Sequence, residues 1–364
     1  MPSSFDVVAA SGSYGVTVGH DLVDSVVDQH PNAVFIIDSK LTAALPARAS
    51  ARIVVEAEEQ NKSLEYMPTV ISELRRINTK RDSYIVAVGG GIIQDIATFC
   101  ASIYMRGLPW TYLATTVLAM VDSCIGGKSS INVQSYKNLV GNFYPPENVI
   151  IDTRFISTLN REMVIGGLYE AAKICYARGY DEFEQYVALN PGYPLAPDIA
   201  ELIILRSLLN KKWFIEVDEF DRKERLLLNF GHTFGHAVEA ATNFGVSHGI
   251  AVGLGMLVAG HFAFDNGRLS TAGAARVLRL MDHVRSTLVT TAEPIIVSPP
   301  PINLATILTK FEYDKKHRLD AYRVVLPEND GSLSLVGVER NPATTLAIRK
   351  AYERTFAELG WAYD

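Results

Sequence analysis

In the first 150 residues of this chain, short apolar runs rich in β-branched residues alternate with helix-like stretches. The strings at 33–38 (AVFIID), 52–56 (RIVVE), 84–88 (YIVAV) and 110–113 (WTYL) read as strands, and 64–77 reads as one of the helices between them. A strand that is apolar along most of its length, instead of at every second residue, must be covered on both faces. That pattern predicts a parallel sheet sandwiched between helical layers. Sheets of this kind bind nucleotides beyond the carboxyl ends of their strands.

After 148–152 (NVIID) the periodicity becomes helical, from Arg161 to Met281 and again from Leu304 and from Thr344. Only 322–326 and 333–336 look like strands, forming a small hairpin around Asn329-Asp-Gly331. The fold class expected is therefore an α/β, Rossmann-like N-terminal domain with a parallel sheet, followed by a mainly α-helical domain. The boundary falls near Asp152, giving domains 1–152 and 153–364, and 364 residues suffice for two cores. The Pro-rich stretch 298–302 reads as a loop, and no internal repeat or low-complexity tract is found.

Charge narrows the function. A net charge of −6 provides no global field for nucleic acid or an anionic membrane, so neither is expected as a partner. An anionic substrate must then be met by a local cluster of cations. Cys100, Cys124 and Cys175 are odd in number and set among apolar residues, which fits small core residues in a reducing compartment. The N-terminal MPSSFD has neither a basic nor an apolar run, so no signal peptide is expected. The apolar stretch 250–264 is short for a bilayer span and reads as a buried core helix, which points to a soluble, cytoplasmic protein.

The chemistry concentrates in the string RLLLNFGHTFGH at 225–236. His232 and His236 are four residues apart, so on a helix both imidazoles share a face, and His248 follows twelve residues later. Such a set is raw material for a divalent-metal site, although two satisfied core histidines would give the same spacing. VGGGIIQD at 88–95 follows a strand and opens a helix, which suits backbone approach to a pyrophosphate, or simply a tight turn. Asp38, at a strand end, is placed to accept ribose hydroxyls.

GGKSSIN at 126–132 and KNLVG at 137–141 are not a Walker A loop, because Asp122 stands where its first glycine is required. Lys128, Asn132, Lys137 and Asn138 nonetheless offer a cradle for a phosphate monoester, if the lysines are not solvated surface groups. Glu170 and Lys173 share a helical face, as a surface pair or as part of a metal site. The triplet at 314–316 (DKK) can add cations from the C-terminal region.

Taken together, GGGIIQD, VDSCIGGKSSIN, KNLVGNFYPP, GLYEAAK and RLLLNFGHTFGHA resemble the 3-dehydroquinate synthase and sugar phosphate cyclase family, in order and in spacing. The resemblance implies an NAD-binding first domain and a metal-binding second one. Glu170, His232 and His248 would hold Zn2+ or Co2+. Asp38, Glu59, Lys62, Gly89, Gly90, Gly91, Asp95, Thr115, Thr116, Asp122, Lys137 and Thr158 would line the NAD site. Lys173, Lys211, Asp221, Arg225, Asn229 and His236 would form the catalytic set, with Lys211 and Arg225 pairing with a substrate carboxylate. Asp122, Lys128, Asn138 and Lys315 or Lys316 would hold substrate, and Arg106 would reach a neighbouring subunit's site, which implies a homodimer.

The implied reaction oxidises a ring alcohol with NAD+, eliminates phosphate, returns the hydride and closes a carbocycle by an intramolecular aldol step. The implied substrate is a C7 2-keto-3-deoxy sugar acid phosphate. Four departures bear on it: Ile250 replaces a carboxylate after His248-Gly, Asp221 replaces a glutamate, Ala114 replaces a proline, and Ser129-Ser130 replaces Thr-Gly. They leave open a cyclase of secondary metabolism or polysaccharide synthesis acting on another sugar phosphate, such as sedoheptulose 7-phosphate. A metal-dependent polyol dehydrogenase and a non-catalytic paralogue are further alternatives.

Overall fold

The computed structural model describes residues 2–134, 136–289 and 301–364. The Pro-rich positions 298–300 therefore lie outside the described residues. The chain divides into two compact units, Met1–Leu159 with Ala196–Glu219, and Asn160–Leu195 with Phe220–Asp364. The sequence reading draws one crossing at 152; in the structure the chain also returns to the first unit over 196–219.

The first unit contains β1 (Ser3–Ala9), β2 (Gly12–Gly19), α1 (Val23–Gln29), β3 (Val34–Asp38), β4 (Arg52–Val55), α2 (Met67–Arg76), β5 (Ile85–Gly89), α3 (Gly91–Ile103), β6 (Trp110–Ala114), the short pair β7 (Ile131–Val133) and β8 (Tyr136–Val140), and β9 (Asn148–Asp152). Seven strands form one sheet in the order β1-β2-β9-β6-β5-β3-β4. All neighbours run parallel except β1 and β2, so the sheet is mixed, not purely parallel as expected. The β1–β2 hairpin escapes a reading based on apolar runs because β1 alternates exposed and half-buried positions, with only Val7 fully buried. The central strands β5 and β6 are buried at every residue, which is why their sequences lack alternation.

A long helix of the second half of the chain, Pro197–Val217, also belongs to this unit. Ser207 Oγ donates to the Val121 carbonyl (2.8 Å), and Glu216 Oε1 accepts from the Val8 N–H (2.9 Å). Numbered in chain order after α4 (Arg161–Arg178) and α5 (Tyr180–Val187), it is α6.

The second unit is mainly helical: α4 and α5, then α7 (His232–Ala241), α8 (His248–Asp265), α9 (Thr271–Val289), α10 (Leu304–Glu312) and α11 (Pro342–Leu359). The expected hairpin is present as β10 (Ala321–Glu328) and β11 (Ser332–Glu339), closed with Glu328 opposite Ser332. Helix α8 is the centre of the unit, packed by α4, α7, α9 and α11. Its 18 residues are long and apolar enough to cross a membrane by composition, but 83% of them are buried, as expected of a core helix.

His283 on α9 is enclosed by ring edges of Phe183 (5.9 Å) and Tyr186 (5.5 Å) on α5. Burial, helped by nearby Arg279, pushes its pKa down to about 4. Because the folded value lies below the usual 6.5, the unfolded chain takes up the proton first as pH falls. This group therefore leaves stability intact above pH ~6.5 and removes it progressively down to pH ~4, ~2 kcal/mol of the loss falling between pH 7 and 5. Denaturant unfolding at both pH values is expected to show His283→Leu losing ~2 kcal/mol less over that interval than the parent protein.

Candidate active site

Close backbone approach sets the geometry of the second unit's polar cluster. A Cβ on Gly249 of α8 would lie 2.4 Å from the Gly166 carbonyl oxygen on α4. A Cβ on Gly235 of α7 would lie 2.4 Å from the Ala251 carbonyl of α8, and one on Gly255 would overlap the Gly231 carbonyl. Hydrogen in place of a side chain lets three helices meet at van der Waals distance. Glu170, one turn beyond Gly166, is thereby brought to the first residues of α7 and α8, His232 and His248.

Glu170 Oε1 lies 3.7 Å from His232 Nε2 and 3.4 Å from His248 Nε2. A tetrahedral zinc site with ligand bonds of ~2.0–2.1 Å has ligand–ligand edges of ~3.3–3.4 Å, so this spacing suits one cation. His236 joins the group: His232, His236 and His248 each offer a ring nitrogen within 4.8 Å of the others. Oxygen and imidazole donors without thiolate fit Zn2+ or Co2+. All three cysteines are buried and lie outside the cluster.

The cluster is electrostatically tense. Burial holds His232 well below the usual histidine range, reinforced by Lys173, His236, His248 and Lys316, so its ring is neutral with a lone pair to give. Burial opposes charge on His248 too, but hydrogen bonds to Glu170 and Glu239 win and raise its pKa to about 9. Two carboxylates thus call for positive charge at this point, and a divalent cation answers the same demand. Glu170 also forms a buried ion pair with Lys173 through its other oxygen.

Lys316 stands close enough to influence His232, and Lys173 and Asp221 in turn influence Lys316. Its Nζ is shielded from solvent and makes no hydrogen bond among the described residues, with Asp314 Oδ2 3.9 Å away. Burial lowers its pKa. Lys315 beside it is exposed. Arg225 is buried, Asn229 Nδ2 donates to the Leu226 carbonyl (3.1 Å), and Asp221 adopts a left-handed φ of 61°.

The first unit assembles a separate cluster. Asp38, Gly89 and Thr115 sit at the carboxyl edge of neighbouring strands, and Gly91 opens α3. Gly90 has no room for a methyl group, because a Cβ would lie 2.8 Å from Thr116 Cγ2. Lys62 Nζ donates to Asp95 Oδ2 (3.1 Å) and Asn138 Oδ1 (2.9 Å), and Asp95 Oδ1 accepts from the Ser130 N–H (2.9 Å). Burial raises Asp95 to about 6 even though Lys62 pulls it down. Glu59 accepts from Asn132 (2.9 Å) and pairs with Lys137 (3.5 Å).

Lys211 pairs with Asp122 and donates to the Ile125 carbonyl (3.0 Å), while Lys128 Nζ lies 6.0 Å from the Phe143 ring centre. Thr158 Oγ1 bonds the Phe155 carbonyl (2.7 Å), and Arg106 is exposed at φ 71°. Among the described contacts, neither joins the Lys62–Asp95 cluster.

Sequence reading missed Glu239, whose Oε2 meets His248 Nδ1 at 3.2 Å. Its signal was available: it lies seven residues after His232 and three after His236, on their face of the helix. Asn132, which the sequence reading placed with Asn138 in a phosphate cradle, bonds Glu59 and accepts from the Asn138 N–H (2.9 Å each).

An α/β unit with a glycine-rich turn at its strand ends, joined to a helical unit carrying a histidine–carboxylate donor set, defines the class of dehydroquinate synthase-like sugar phosphate cyclases. Sequence comparison agrees: the 3-dehydroquinate synthase N-terminal family matches residues 52–166 and the 3-dehydroquinate synthase C-terminal family matches 167–317. The chain belongs to the 3-dehydroquinate synthase family. The 3-dehydroquinate synthase of Saccharolobus solfataricus is 37% identical over 290 residues, covering 79% of this chain and 80% of that one.

The fold is shared with a 2-deoxy-scyllo-inosose synthase solved with carbaglucose-6-phosphate, NAD+ and Co2+ (TM-score 0.81, 22% identity, 97% and 99% of the two chains covered). It is shared too with 2-epi-5-epi-valiolone synthase from Streptomyces hygroscopicus subsp. jinggangensis 5008, solved with NAD+ and Zn2+ (TM-score 0.75, 23% identity, 95% and 96% covered).

The glycine contact yields a direct expectation. Gly249→Ala forces α8 away from α4, because its Cβ meets backbone and not a flexible side chain. The expected cost is ~1–3 kcal/mol in denaturant unfolding, together with weaker retention of Co2+ on dialysis.

Proposed function

We propose that this chain converts a C7 2-keto-3-deoxy sugar acid phosphate to a carbocycle with elimination of phosphate, using NAD+ and Zn2+ or Co2+. The observation that carries the reading is the convergence of Glu170 Oε1 on Nε2 of both His232 and His248, within the electrostatic reach of Lys173 and Lys316. When bound, NAD+ supplies a hydride acceptor that is later a donor, and the divalent cation supplies Lewis acidity.

The chain's own residues do the rest. Glu170, His232 and His248 hold the cation, with His236 beside them. Gly89–Gly91 and the start of α3 bring backbone N–H groups to the pyrophosphate. Asp38, Glu59, Lys62, Asp95, Thr115, Thr116, Asp122, Lys137 and Thr158 complete the nucleotide site. Lys316 is the better candidate of its pair for the substrate's anionic end, because its Nζ is buried and has no hydrogen-bond acceptor among the described residues. Arg225 and Lys211 keep the carboxylate role, Lys128 and Asn138 the phosphate and hydroxyl roles, and Asp221 and Asn229 remain in the catalytic set.

Oxidation of the ring alcohol acidifies the neighbouring C–H; that proton and the phosphate C–O bond are then lost together, with phosphate able to take the proton. Ammonium groups near the departing dianion lower the barrier by electrostatic stabilisation prepared in advance. NAD+, held by Gly89–Gly91 and the side chains around them, would supply both the oxidation and the later reduction, so none would be consumed overall. Ring opening and aldol closure follow, with the site holding the chain ends together. The proposal also places Arg106 at a homodimer contact and the protein in the cytoplasm.

Incubating purified protein with NAD+, Co2+ and this substrate is expected to release phosphate rapidly. Faster release from sedoheptulose 7-phosphate or a hexose phosphate would transfer the assignment to another cyclase. Net NADH accumulation with a simple polyol would transfer it to a dehydrogenase. Lys316→Ala is expected to lower kcat by ~10²–10³, with a much smaller effect of Lys315→Ala, measured as phosphate release.

A further inference from the structure

The two imidazoles that face Glu170 are held by different means. His232 Nδ1 lies 3.2 Å from the Phe230 carbonyl, and the side chain is only 15% exposed. Backbone and packing are enough to orient it. His248 is the first residue of α8 and its side chain is 37% exposed, so packing leaves its ring less constrained. Its Nδ1 instead meets Glu239 Oε2 at 3.2 Å, and Glu239 is itself 13% exposed. Ile250, two residues along α8, is buried and aliphatic and has no polar atom with which to share the task.

A carboxylate at Nδ1 selects the tautomer protonated there. When a cation takes the place of the Nε2 proton, the Nε2 lone pair is thereby held beside Glu170 Oε1, 3.4 Å away, so that both atoms can reach one ion. We propose that Glu239 is a positioning residue for the divalent-cation site, fixing the ring orientation and tautomer of His248 across the α7–α8 junction. This inference rests on the reading that Glu170, His232 and His248 bind a cation. Its rival is a purely structural role, in which Glu239 does no more than pin the turn between the two helices.

The test uses the full-length protein, Glu239→Ala and Glu239→Gln. Co2+ affinity is measured by chelator competition while the visible d–d absorption is followed, and thermal unfolding of the chelator-treated proteins is recorded alongside. The expected result is an affinity loss of about 10- to 100-fold for the alanine variant with an altered d–d band, and an intermediate loss for glutamine, which keeps an acceptor oxygen. A structural role alone would lower Tm of the metal-free protein and leave the band unchanged. Affinity within about twofold of the parent, with an unchanged band, overturns the inference whatever happens to Tm. If the alanine variant does not fold, the glutamine variant decides by the same two readouts. A parent protein that takes up no Co2+ overturns the cation-site reading beneath, whereas parent binding with unaffected variants overturns only the role of Glu239.

Discussion

The second unit depends on how closely α8 can approach its neighbours. Gly249 against Gly166, Gly255 against Gly231 and Gly235 against Ala251 are contacts of backbone with backbone, and no larger residue fits at any of them without displacement. Side chains at these positions would hold the helices at the usual 8–10 Å between axes. The gain from closer contact is more than dispersion energy. Candidate donor groups on three different helices come together, the two imidazoles 3.4–3.7 Å from Glu170 Oε1, only because the helices carrying them touch, and an error of ~1 Å there would take them beyond the reach of a single ion.

That geometry gathers charge where little water remains. Glu170 and Lys173 are both buried, and a buried ion pair recovers its desolvation cost only when its remaining polar atoms are also satisfied. Here Glu170 uses one oxygen for Lys173 and turns the other to two imidazoles, so the pair is anchored on one side and open to coordination on the other. Burial depresses the pKa of His232, with Lys173 and Lys316 adding to it, whereas at His248 two carboxylates overcome the same burial and raise the pKa.

The first unit solves a different problem, that of presenting polar groups at the end of an apolar sheet. Its central strands carry no polar alternation, so polar side chains gather where the strands stop. Lys62, Asp95, Asn138 and the Ser130 N–H form a hydrogen-bonded set there, and Asn132 ties Glu59 into it. Such a network is worth most when complete, since each member left unpaired in a poorly hydrated place would cost more than the bond it lost.

The sequence alone determined the α/β and helical halves, the glycine-rich turn at 88–95, the hairpin at 329–331 and the shared face of His232 and His236, because each is set by local periodicity or by spacing within one element. Tertiary structure decided the antiparallel β1, which has too few apolar residues to announce a strand, and the return of α6 to the first unit, which rests on contacts such as Ser207 with Val121. It alone showed that Glu170 and Lys173 are a buried pair and not a solvated one, that the Lys316 Nζ is shielded while Lys315 is exposed, and that Glu239 meets His248. Burial and partner choice arise from residues far apart in the chain, and no local pattern records which distant backbone will come close enough to exclude water.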